Sequence, residues 1–302
     1  MTNESTAPGG RPGQTEAGPT QRRRTLGLRL FELRKACGLS AEAAGLQAGV
    51  SKATVSRYEK GQGNVRWNQV EALCKVYNAP DEEIAELIEL AKNSKLTDSW
   101  WIPLAGKLSN PMRVLLGVEN EAPFIWQFAA GAVIPGLLQT KRYAAAIQST
   151  PGNSLEPEAV TEFLDMRMQR QKILARTSPP SYHAILDESV LRRRVGGVDV
   201  MAEQLDLLLE RRQERNITIQ VVPFDAGAYS AALTSFIIYG GTEPSLDVIF
   251  VETAVGSLFL EEGGARHAYE NVWSFLRQEA LDTDTSAQLI AEARENHLRN
   301  RR

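Results

Sequence analysis

Apolar residues recur at helical spacing in five short segments between residues 26 and 91, and glycine, serine or proline separates the segments. In the first segment, Leu26, Leu30 and Leu33 fall on one helical face. Serine before a segment and glycine after it are typical helix caps, and they set the limits of the next two. The predicted helices are Leu26–Lys35, Ala41–Ala48, Lys52–Lys60, Asn68–Tyr77 and a fifth that opens at Pro80 and Asp81. Five short helices this close together predict a compact helical bundle.

A different pattern follows the bundle. A junction containing Trp100, Trp101 and Pro103 leads into helical patterns near 110–148 and an amphipathic stretch, Pro157–Arg176. Short β-branched and aromatic runs bounded by turn residues then predict strands. The strands are Tyr182–Leu186, Ile217–Phe224, Ser235–Tyr239, Val248–Glu252 and Ser257–Glu261, and further helices are predicted at about Val200–Gln213, 266–281 and 286–298. Helices and strands are segregated enough to favour an α+β fold.

These patterns divide the chain into four regions. Residues 1–24 carry almost no large apolar side chains and end in three arginines, so we predict a disordered tail with a basic end. We predict a mainly α, five-helix bundle at 25–93 and a linker at 94–109. Residues 110–298 are predicted to form an α+β domain with a small mixed or antiparallel sheet.

The net charge of −3 conceals an asymmetry along the chain. Between Arg22 and Arg66, ten basic residues stand against three acidic ones, a local charge of +7 that leaves −10 on the remainder. A basic module on an acidic body suits attraction of phosphates at one end and a different task at the other. A solvated run of charges is the alternative interpretation of the same count.

The composition favours a cytoplasmic protein. No apolar run approaches the ~18–20 residues that span a bilayer, and the N-terminal segment from Met1 to Gln21 lacks the apolar stretch of a secretory signal. Cys37 and Cys74 have no spacing typical of a metal site. We predict two buried thiols in a reducing compartment, with a disulfide or redox pair as the alternative.

The segment from Leu39 to Glu59 predicts two helices that meet through a tight turn. Gly49 can adopt the positive φ that the turn needs, and Gly45 is small where the helices cross. Ser51 caps the second of these helices, at the end that can enter a major groove of DNA.

The bundle resembles the Cro/C1 (XRE) family of helix-turn-helix regulators, whose DNA-binding unit has five helices. The resemblance covers Leu26 to about Lys92 and rests on Gly38-Leu39-Ser40, Gly49-Val50-Ser51 and the run from Thr54 to Gly61. It implies that bases and phosphates are contacted around the start of the third helix. The residues implied to bind DNA are Ser40, Ser51, Lys52, Ala53, Thr54, Ser56, Arg57 and Lys60. A solvated surface used for protein contacts is the alternative.

The resemblance has two further implications. It implies a structural ion pair between Arg34 on the first helix and Glu59 on the third. Family members commonly have glutamine and leucine where this chain has Ala41 and Ala44, so we expect a lost phosphate contact and a less well anchored second helix. Arg22, Arg23 and Arg24, reaching along the duplex, would compensate for that loss.

Four motifs in the remainder are similar to those of a second family. They are Val133–Tyr143, Arg167–Gln171, Ala184–Arg192 and Ile219–Phe224. In this order, behind a helix-turn-helix module, they resemble a large actinobacterial regulator family with a C-terminal DUF5753 domain, also called Scr1-like antitoxin regulators. The resemblance spans about Trp100 to Ala291. It implies a domain without assigned chemistry and a small, DUF397-like partner protein encoded nearby.

The sequence contains candidate catalytic residues but no recognisable catalytic motif. The candidates are Asp187, Glu188, Ser189, His183, His267 and Arg167. Ser189 lacks the Gly-x-Ser-x-Gly context of a strained nucleophile turn and is expected at a strand end, where adjacent carboxylates point to opposite faces. The three histidines are too scattered for a zinc site. We predict no catalytic residue, no metal and no cofactor.

A structural role is favoured for most of these polar residues. Asp187, Glu188, Arg167 and Arg170 are expected to form a salt-bridge network, or a polar pocket near the Pro135-Gly136 turn, with ligand or partner binding as the alternative. Trp100, Trp101 and Trp126 are expected in the core instead of a ligand cage. The strands near 235–261 could present a sheet edge to a partner.

Three functions remain open at this level. The favoured one is a transcription regulator that binds a double-stranded DNA operator sequence-specifically, as a homodimer, while its C-terminal domain binds a partner protein or ligand. The second is an antitoxin-like protein that mainly sequesters a small partner and regulates its own promoter. The third is an enzyme fused to a DNA tether.

Overall fold

The computed structural model describes residues 21–62, 65–92, 108–131, 133–150, 157–228, 234–241, 244–253, 256–261 and 263–300. The chain divides into two compact units, between Val114 and Leu115. Trp100, Trp101 and nearly all of the predicted tail and linker lie outside the described residues. Within these ranges, every helix is too short or too polar to cross a membrane.

The first unit is a helical bundle. Its helices are α1 Gln21–Ala36, α2 Ala41–Ala48, α3 Lys52–Glu59, α4 Trp67–Val76 and α5 Asp81–Lys92. Apart from the start of α1, these limits lie within one residue of the predicted ones. Residues 21–24 open α1 and do not close a tail, because Leu26 and Leu30 pack into the core and Arg24 is itself only 7% exposed.

One core joins all five helices. Leu30 of α1, Ala44 of α2 and Val55 of α3 are fully buried, and Leu73 of α4 and Leu87 of α5 are at most 2% exposed. The stripes of apolar residues that predict the helices are therefore the faces that pack together.

Gly27 of α1 lies directly against the C-terminal end of α3, where there is no room for a side chain. A Cβ atom at this position would lie 2.5 Å from the carbonyl oxygen of Tyr58 and 2.6 Å from that of Glu59. Both are backbone atoms, so they cannot rotate away as a flexible side chain would.

We predict that Gly27→Ala destabilises the bundle by ~1–3 kcal/mol, the usual cost of overpacking a core. Alanine is the better helix former by ~1 kcal/mol, so propensity alone would predict the opposite sign. Gly264→Ala is the matched control, because Gly264 lies in a helix of the second unit and has open space around it. Urea denaturation of both variants tests the prediction, and a Gly27→Ala protein at least as stable as the parent would contradict it.

Both cysteines are free thiols. Cys74 is fully buried, and burial raises the pKa of its thiol to about 12. Cys37 is exposed, and its Sγ donates to the carbonyl oxygen of Tyr77 at 3.0 Å. The prediction of two buried thiols is therefore wrong for Cys37, which follows the last residue of α1 and lies outside the core.

Beyond the bundle, helices flank a single sheet. The helices are α6 Asn110–Glu121, α7 Lys141–Gln148, α8 Pro157–Gln171, α9 Glu188–Arg192, α10 Val198–Arg211, α11 Gly263–Glu279 and α12 Thr283–Arg299. The strands are β1 Phe124–Ala129, β2 Ser181–Asp187, β3 Ile217–Val222, β4 Phe236–Tyr239, β5 Val248–Thr253 and β6 Gly256–Leu260. Their order across the sheet is β3-β2-β1-β4-β5-β6. Pairing is parallel from β1 to β3 and antiparallel through β4, β5 and β6, which confirms the predicted mixed sheet in an α+β domain.

Strand β1 lies inside the stretch near 110–148 for which the sequence predicts helical patterns, and that prediction is wrong for residues 124–129. The strand pairs with β2 on one side and β4 on the other, in the middle of the sheet. Covered strands of this kind carry apolar residues on both faces and lose the alternation that marks a half-exposed strand.

Helix α11 covers one face of the sheet. Trp273 and Leu276 of α11 share a core with Phe128 of β1, Ile185 of β2 and other buried strand residues. Trp126 of β1 is half-buried and stacks on Trp273 with ring centroids 5.5 Å apart, which places it in this packing as expected.

Candidate functional site

The turn between α2 and α3 depends on two glycines. Gly49 ends α2 with φ +68°, in the left-handed region that glycine enters without cost. A Cβ at Gly45 would lie 2.7 Å from the carbonyl oxygen of Val50, so α2 packs directly on the turn. These two positions allow the start of α3 to pack closely on α2, as in a helix-turn-helix.

Serines cap both helices of this pair. The hydroxyl of Ser40 accepts from the amide of Ala43 at 3.1 Å, and that of Ser51 accepts from the amide of Thr54 at the same distance. The hydroxyl of Ser51 also lies 2.9 Å from Thr54 Oγ1. Both serines are exposed, so the N-terminal ends of α2 and α3 face solvent, and helix N-termini with such amides favour anions.

Helix α3 has an inner and an outer face. Val55 is fully buried and Tyr58 is 3% exposed, and the Tyr58 hydroxyl accepts from the amide of Arg66 at 3.1 Å. The outer face carries most of the residues predicted to bind DNA: Lys52, Ala53, Arg57 and Lys60 are exposed, and Thr54 and Ser56 are half-buried. The predicted residues of α3 thus share one continuous surface with Ser51.

The cations of this surface are weakly engaged within the protein. Lys52 Nζ lies 3.6 Å from a carboxylate oxygen of Glu42, but both side chains are more than 60% exposed, and such pairs contribute little. Arg57 Nη2 is 3.5 Å from Thr54 Oγ1. Among the described residues, Arg57 and Lys60 form no ion pair.

The three arginines before the bundle do not form a free basic arm. All three lie in α1, and Arg24 is only 7% exposed, so the expectation that it reaches along a duplex is wrong. Arg23 is half-buried, and the side chain of Arg22 lies outside the described part of the chain. Burial of Arg24 follows from the extension of α1, which turns this position toward the bundle.

Arg34 and Glu59 form the ion pair that the resemblance implies. Arg34 Nε donates to Glu59 Oε1 at 2.6 Å, and Nη2 donates to Oε2 at 2.8 Å. A third donor, Nη1, binds the carbonyl oxygen of Leu39 at 2.8 Å. Each side chain is 9% exposed, and the hydrogen bonds to Glu59 raise the pKa of Arg34. The pair ties α1 to the end of α3 and to the residue just before the cap of α2.

In the second unit, the motif Val133–Tyr143 is held by buried amide side chains. Gln139, Gln171 and Gln204 each donate a side-chain amide to carbonyl oxygens of this segment at 2.6 to 2.8 Å. Gln204 also accepts from the amide of Thr140 at 2.7 Å. The segment is therefore fixed by its own Gln139 and by glutamines of two later helices, Gln171 of α8 and Gln204 of α10.

Arg167 packs against the turn at Gly136, as expected, but without a carboxylate partner among the described residues. A Cβ at Gly136 would lie 3.2 Å from Arg167 Nη1, which donates to Gln139 Oε1 at 2.5 Å. The guanidinium also lies 4.7 Å from the ring centroid of Phe163. Burial lowers the pKa of Arg167 to about 10.

Arg170 is paired with Glu119, a residue that the sequence did not single out. Arg170 Nε and Nη2 donate to the two carboxylate oxygens at 2.6 and 2.5 Å, and the Tyr239 hydroxyl donates to Glu119 Oε2 at 3.1 Å. The side chains of Glu119 and Arg170 are 3% and 14% exposed. Burial lowers the pKa of Arg170, but the charge of Glu119 outweighs it and the net shift is upward.

Comparison with known families agrees with this division of the chain. A family model described as a helix-turn-helix domain matches residues 25–87. A second model, described as a domain of unknown function (DUF5753), matches residues 112–292, which is more than half of the chain.

The chain belongs to the DUF5753 family.

The two matches confirm the predicted architecture of a helix-turn-helix domain followed by a DUF5753 domain, and the helix-turn-helix domain supports a DNA-binding regulator. No curated protein and no solved structure matches the chain.

In the DUF5753 unit, residues 115–302, the acidic motif after β2 is engaged in local structure. Asp187 caps α9 by accepting from the amide of Ser189 at 2.9 Å, and the Ser189 hydroxyl donates to the same carboxylate. Glu188 accepts from Arg192 Nη2 at 2.7 Å and from the amide of Phe224 at 2.9 Å.

The predicted network of Asp187, Glu188, Arg167 and Arg170 is therefore wrong. Two separate clusters replace it: Glu119 of α6 pairs with Arg170, and Glu188 pairs with Arg192 of its own helix. Strand β2 ends at Asp187, as the neighbours of Ser189 predict, and Ser189 itself is the second residue of α9.

The three histidines of the DUF5753 unit have different surroundings. His183 is four residues before Asp187 on β2, ~13 Å along a strand, and its Nε2 lies 2.7 Å from Gln220 Oε1. Burial lowers the pKa of His183. His267 is exposed on α11, and His297 is buried with Nε2 at 2.8 Å from the carbonyl oxygen of Leu191. Across the residues that the structure describes, no cluster of His, Cys, Asp and Glu is placed to hold a metal ion.

Proposed function

We propose that this DUF5753 protein is a sequence-specific transcription regulator of the Cro/C1 type, which inserts the start of α3 into the major groove of an operator. The observation that carries this proposal is the outer face of α3, where exposed Lys52 follows the Ser51 cap and exposed Arg57 and Lys60 continue the row of cations to the other end of the helix. Helices presented in this way read base edges with their first residues.

The charge and rigidity of the bundle support the same proposal. The segment from Arg22 to Arg66 carries a net charge of +7, which attracts the phosphates of a duplex. The ion pair between Arg34 and Glu59 and the buried Val55 hold α3 in one orientation. Contacts between side chains and bases need such a fixed frame, because a shift of the helix changes which base each residue meets.

For the DUF5753 unit we propose a regulatory role without catalysis, in which it binds a partner protein or ligand. The candidate nucleophile and acids support this proposal, since the Ser189 hydroxyl and both Glu188 oxygens already have partners in local structure. The carboxylate of Asp187, which accepts from Ser189, is held as the cap of α9, and the imidazole of His183 contacts Gln220 instead of the serine.

We predict that Lys52→Ala and Arg57→Ala each weaken operator binding by ~1–3 kcal/mol if the side chain makes a bidentate contact to a base. A side chain that contacts only phosphate would instead weaken binding to all sequences and lower the salt dependence. Gel-shift titrations at several salt concentrations measure both effects. Lys75→Ala is the control, because Lys75 is an exposed lysine on α4 that pairs with Glu71 on its own helix.

Unchanged affinity for both α3 variants would remove this helix from the reading surface. Footprinting on the same operator also tests the expected homodimer, which requires two symmetric half-sites ~34 Å apart. A single unpaired site would contradict the dimer and leave the role of α3 intact.

An antitoxin-like protein is the second candidate. It is favoured by the charge of −10 outside the segment Arg22–Arg66, which suits a basic protein partner better than a nucleic acid. Co-purification of a small protein encoded nearby, together with operator affinities measured with and without it, distinguishes the two. A partner that leaves operator affinity unchanged while its own activity is blocked would favour the antitoxin-like role.

A further inference from the structure

The two edge strands of the sheet, β3 and β6, differ in whether other parts of the chain bond to their outer side. At the β3 edge, Val221 donates its amide to the hydroxyl of Ser286 at 3.0 Å and accepts from the amide of Leu281 at 2.9 Å. Gln220 adds a side-chain bond to the carbonyl oxygen of Leu281 at 2.8 Å. The segment between α11 and α12 therefore closes this edge.

At the opposite edge, β6, the described residues provide no such cover. Gly256–Leu260 pairs with β5 through one side, and Phe259 packs on Phe250 with ring centroids 5.1 Å apart. In the described part of the chain, no backbone group outside the hairpin bonds to the other side of β6. Because alternate residues of an antiparallel strand turn both N–H and C=O outward, this side offers a row of unpaired donors and acceptors.

Strand β6 also lacks the devices that usually protect an edge. Its sequence, Gly-Ser-Leu-Phe-Leu, contains no charged residue and no proline. Leu258 is 50% exposed, although Leu260 packs toward the core beneath α11. Natural proteins rarely leave such a strand bare, which points to pairing with another chain.

The charges around β6 specify the chemistry of that chain. Residues 240–266 contain five acidic residues against one basic residue, Arg266, which pairs with Glu270 on α11. Asp247 is buried, but Glu252 and Glu261 are exposed at the two ends of the hairpin. Two copies of this edge would bring like charges together, and a nucleic acid would be repelled.

We propose that β6 is the docking edge of the DUF5753 unit and takes an extended segment of a protein partner whose flanks carry lysine or arginine. Backbone hydrogen bonds to Gly256–Leu260 supply affinity, and the basic flanks supply selectivity against other strands. This proposal rests on the proposed partner-binding role of the unit and names its surface.

The test uses the full chain and two short synthetic peptides with one valine-threonine core, one flanked by lysines and one by glutamates. We expect the lysine-flanked peptide to bind and the glutamate-flanked one to bind about tenfold more weakly or not at all. Amide hydrogen exchange should slow in residues 256–260 when the lysine-flanked peptide is added. No binding, equal binding of the two peptides, or protection elsewhere in the unit overturns the proposal.

Two substitutions at one site separate charge from shape. Leu258→Arg should weaken binding of the lysine-flanked peptide about tenfold, whereas Leu258→Glu should preserve it. Phe224→Arg is the matched control, because Phe224 is 57% exposed in the same unit but follows β3. Equal losses for Leu258→Arg and Leu258→Glu would show an apolar contact and overturn the charge assignment, and a loss for Phe224→Arg would place the site elsewhere.

The same samples also report on a second copy of this chain as the occupant. Concentration-dependent self-association that protects residues 256–260 without peptide would overturn the proposal in favour of a dimer through β6. Operator affinity is measured in parallel to distinguish failure of DNA binding from failure of partner binding. Loss of DNA binding leaves the peptide result valid, and loss of peptide binding leaves the DNA-binding result valid.

Discussion

Replacing Glu119 by alanine is expected to lower the free energy of unfolding of the DUF5753 unit by ~3–5 kcal/mol, because the variant leaves a buried arginine without its counter-charge. Arg170 makes two hydrogen bonds to this carboxylate, and Tyr239 donates a third. With Glu119 only 3% exposed, water cannot replace the lost acceptor without opening the packing of α6, α8 and β4.

Urea denaturation followed by amide exchange in β1 and β4 measures this loss within the unit. Asp165→Ala is the control, because Asp165 pairs with Lys141 while both side chains are more than half exposed, and such pairs contribute ~0–1 kcal/mol. The double variant Glu119→Leu with Arg170→Met should recover most of the stability, since an apolar pair of similar size has no buried charge. A loss below ~1 kcal/mol for Glu119→Ala would show that the pair is solvated in solution.

Replacing Arg34 by alanine is expected to destabilise the bundle by a similar amount, ~3–5 kcal/mol, and to reduce operator binding as a consequence. The variant leaves Glu59 buried without its partner and removes the donor to the carbonyl oxygen of Leu39. Because Glu59 is the last residue of α3, loosening this end lets the whole reading helix move.

The control is Glu32→Ala, which removes an exposed pair with Arg29 in which each side chain is 47% exposed. A double-mutant cycle of Arg34→Ala and Glu59→Ala should show strong coupling, because each single change already breaks the pair. If Arg34 contacted DNA directly, operator binding by Arg34→Ala would depend less steeply on salt than binding by the parent. If Arg34 acts only through the fold, the variant should contain a smaller fraction of active protein, and the salt dependence of that fraction should be unchanged. The first outcome would contradict a structural role for Arg34.

The helix-turn-helix illustrates where sequence reasoning succeeds. Ser40, Gly49 and Ser51 determine the limits of α2 and α3 within a residue, because a serine cap or a left-handed glycine acts on amides three or four positions away. The outer face of α3 follows from the same helical period. The fold does not decide which side chains of α3 contact bases, so the base-contacting residues stay a prediction.

The DUF5753 unit shows where such reasoning stops. Strand β1 was missed, although Pro123 before it and Gly131 after it bound an aromatic, β-branched run of strand length. The burial of Glu119 could not be predicted from the sequence, since a single glutamate on an amphipathic helix is most often solvated. Its role appears only when α6, α8 and β4 pack together.

By itself, the sequence determined the local features of this protein: two regions of different pattern, the capped helix pair with its glycine turn, and the outward row of cations on α3. Tertiary structure alone decided that Arg24 is buried, that β1 forms the middle of the sheet, that Arg170 pairs with Glu119, and that no described element covers the edge of β6. The physical reason is the range of the interactions. Caps and helical periods act over a few residues, whereas Glu119 meets Arg170 across 51 positions and Tyr239 across 120. Contacts at such separations depend on how whole elements pack, and no single segment of the chain encodes them.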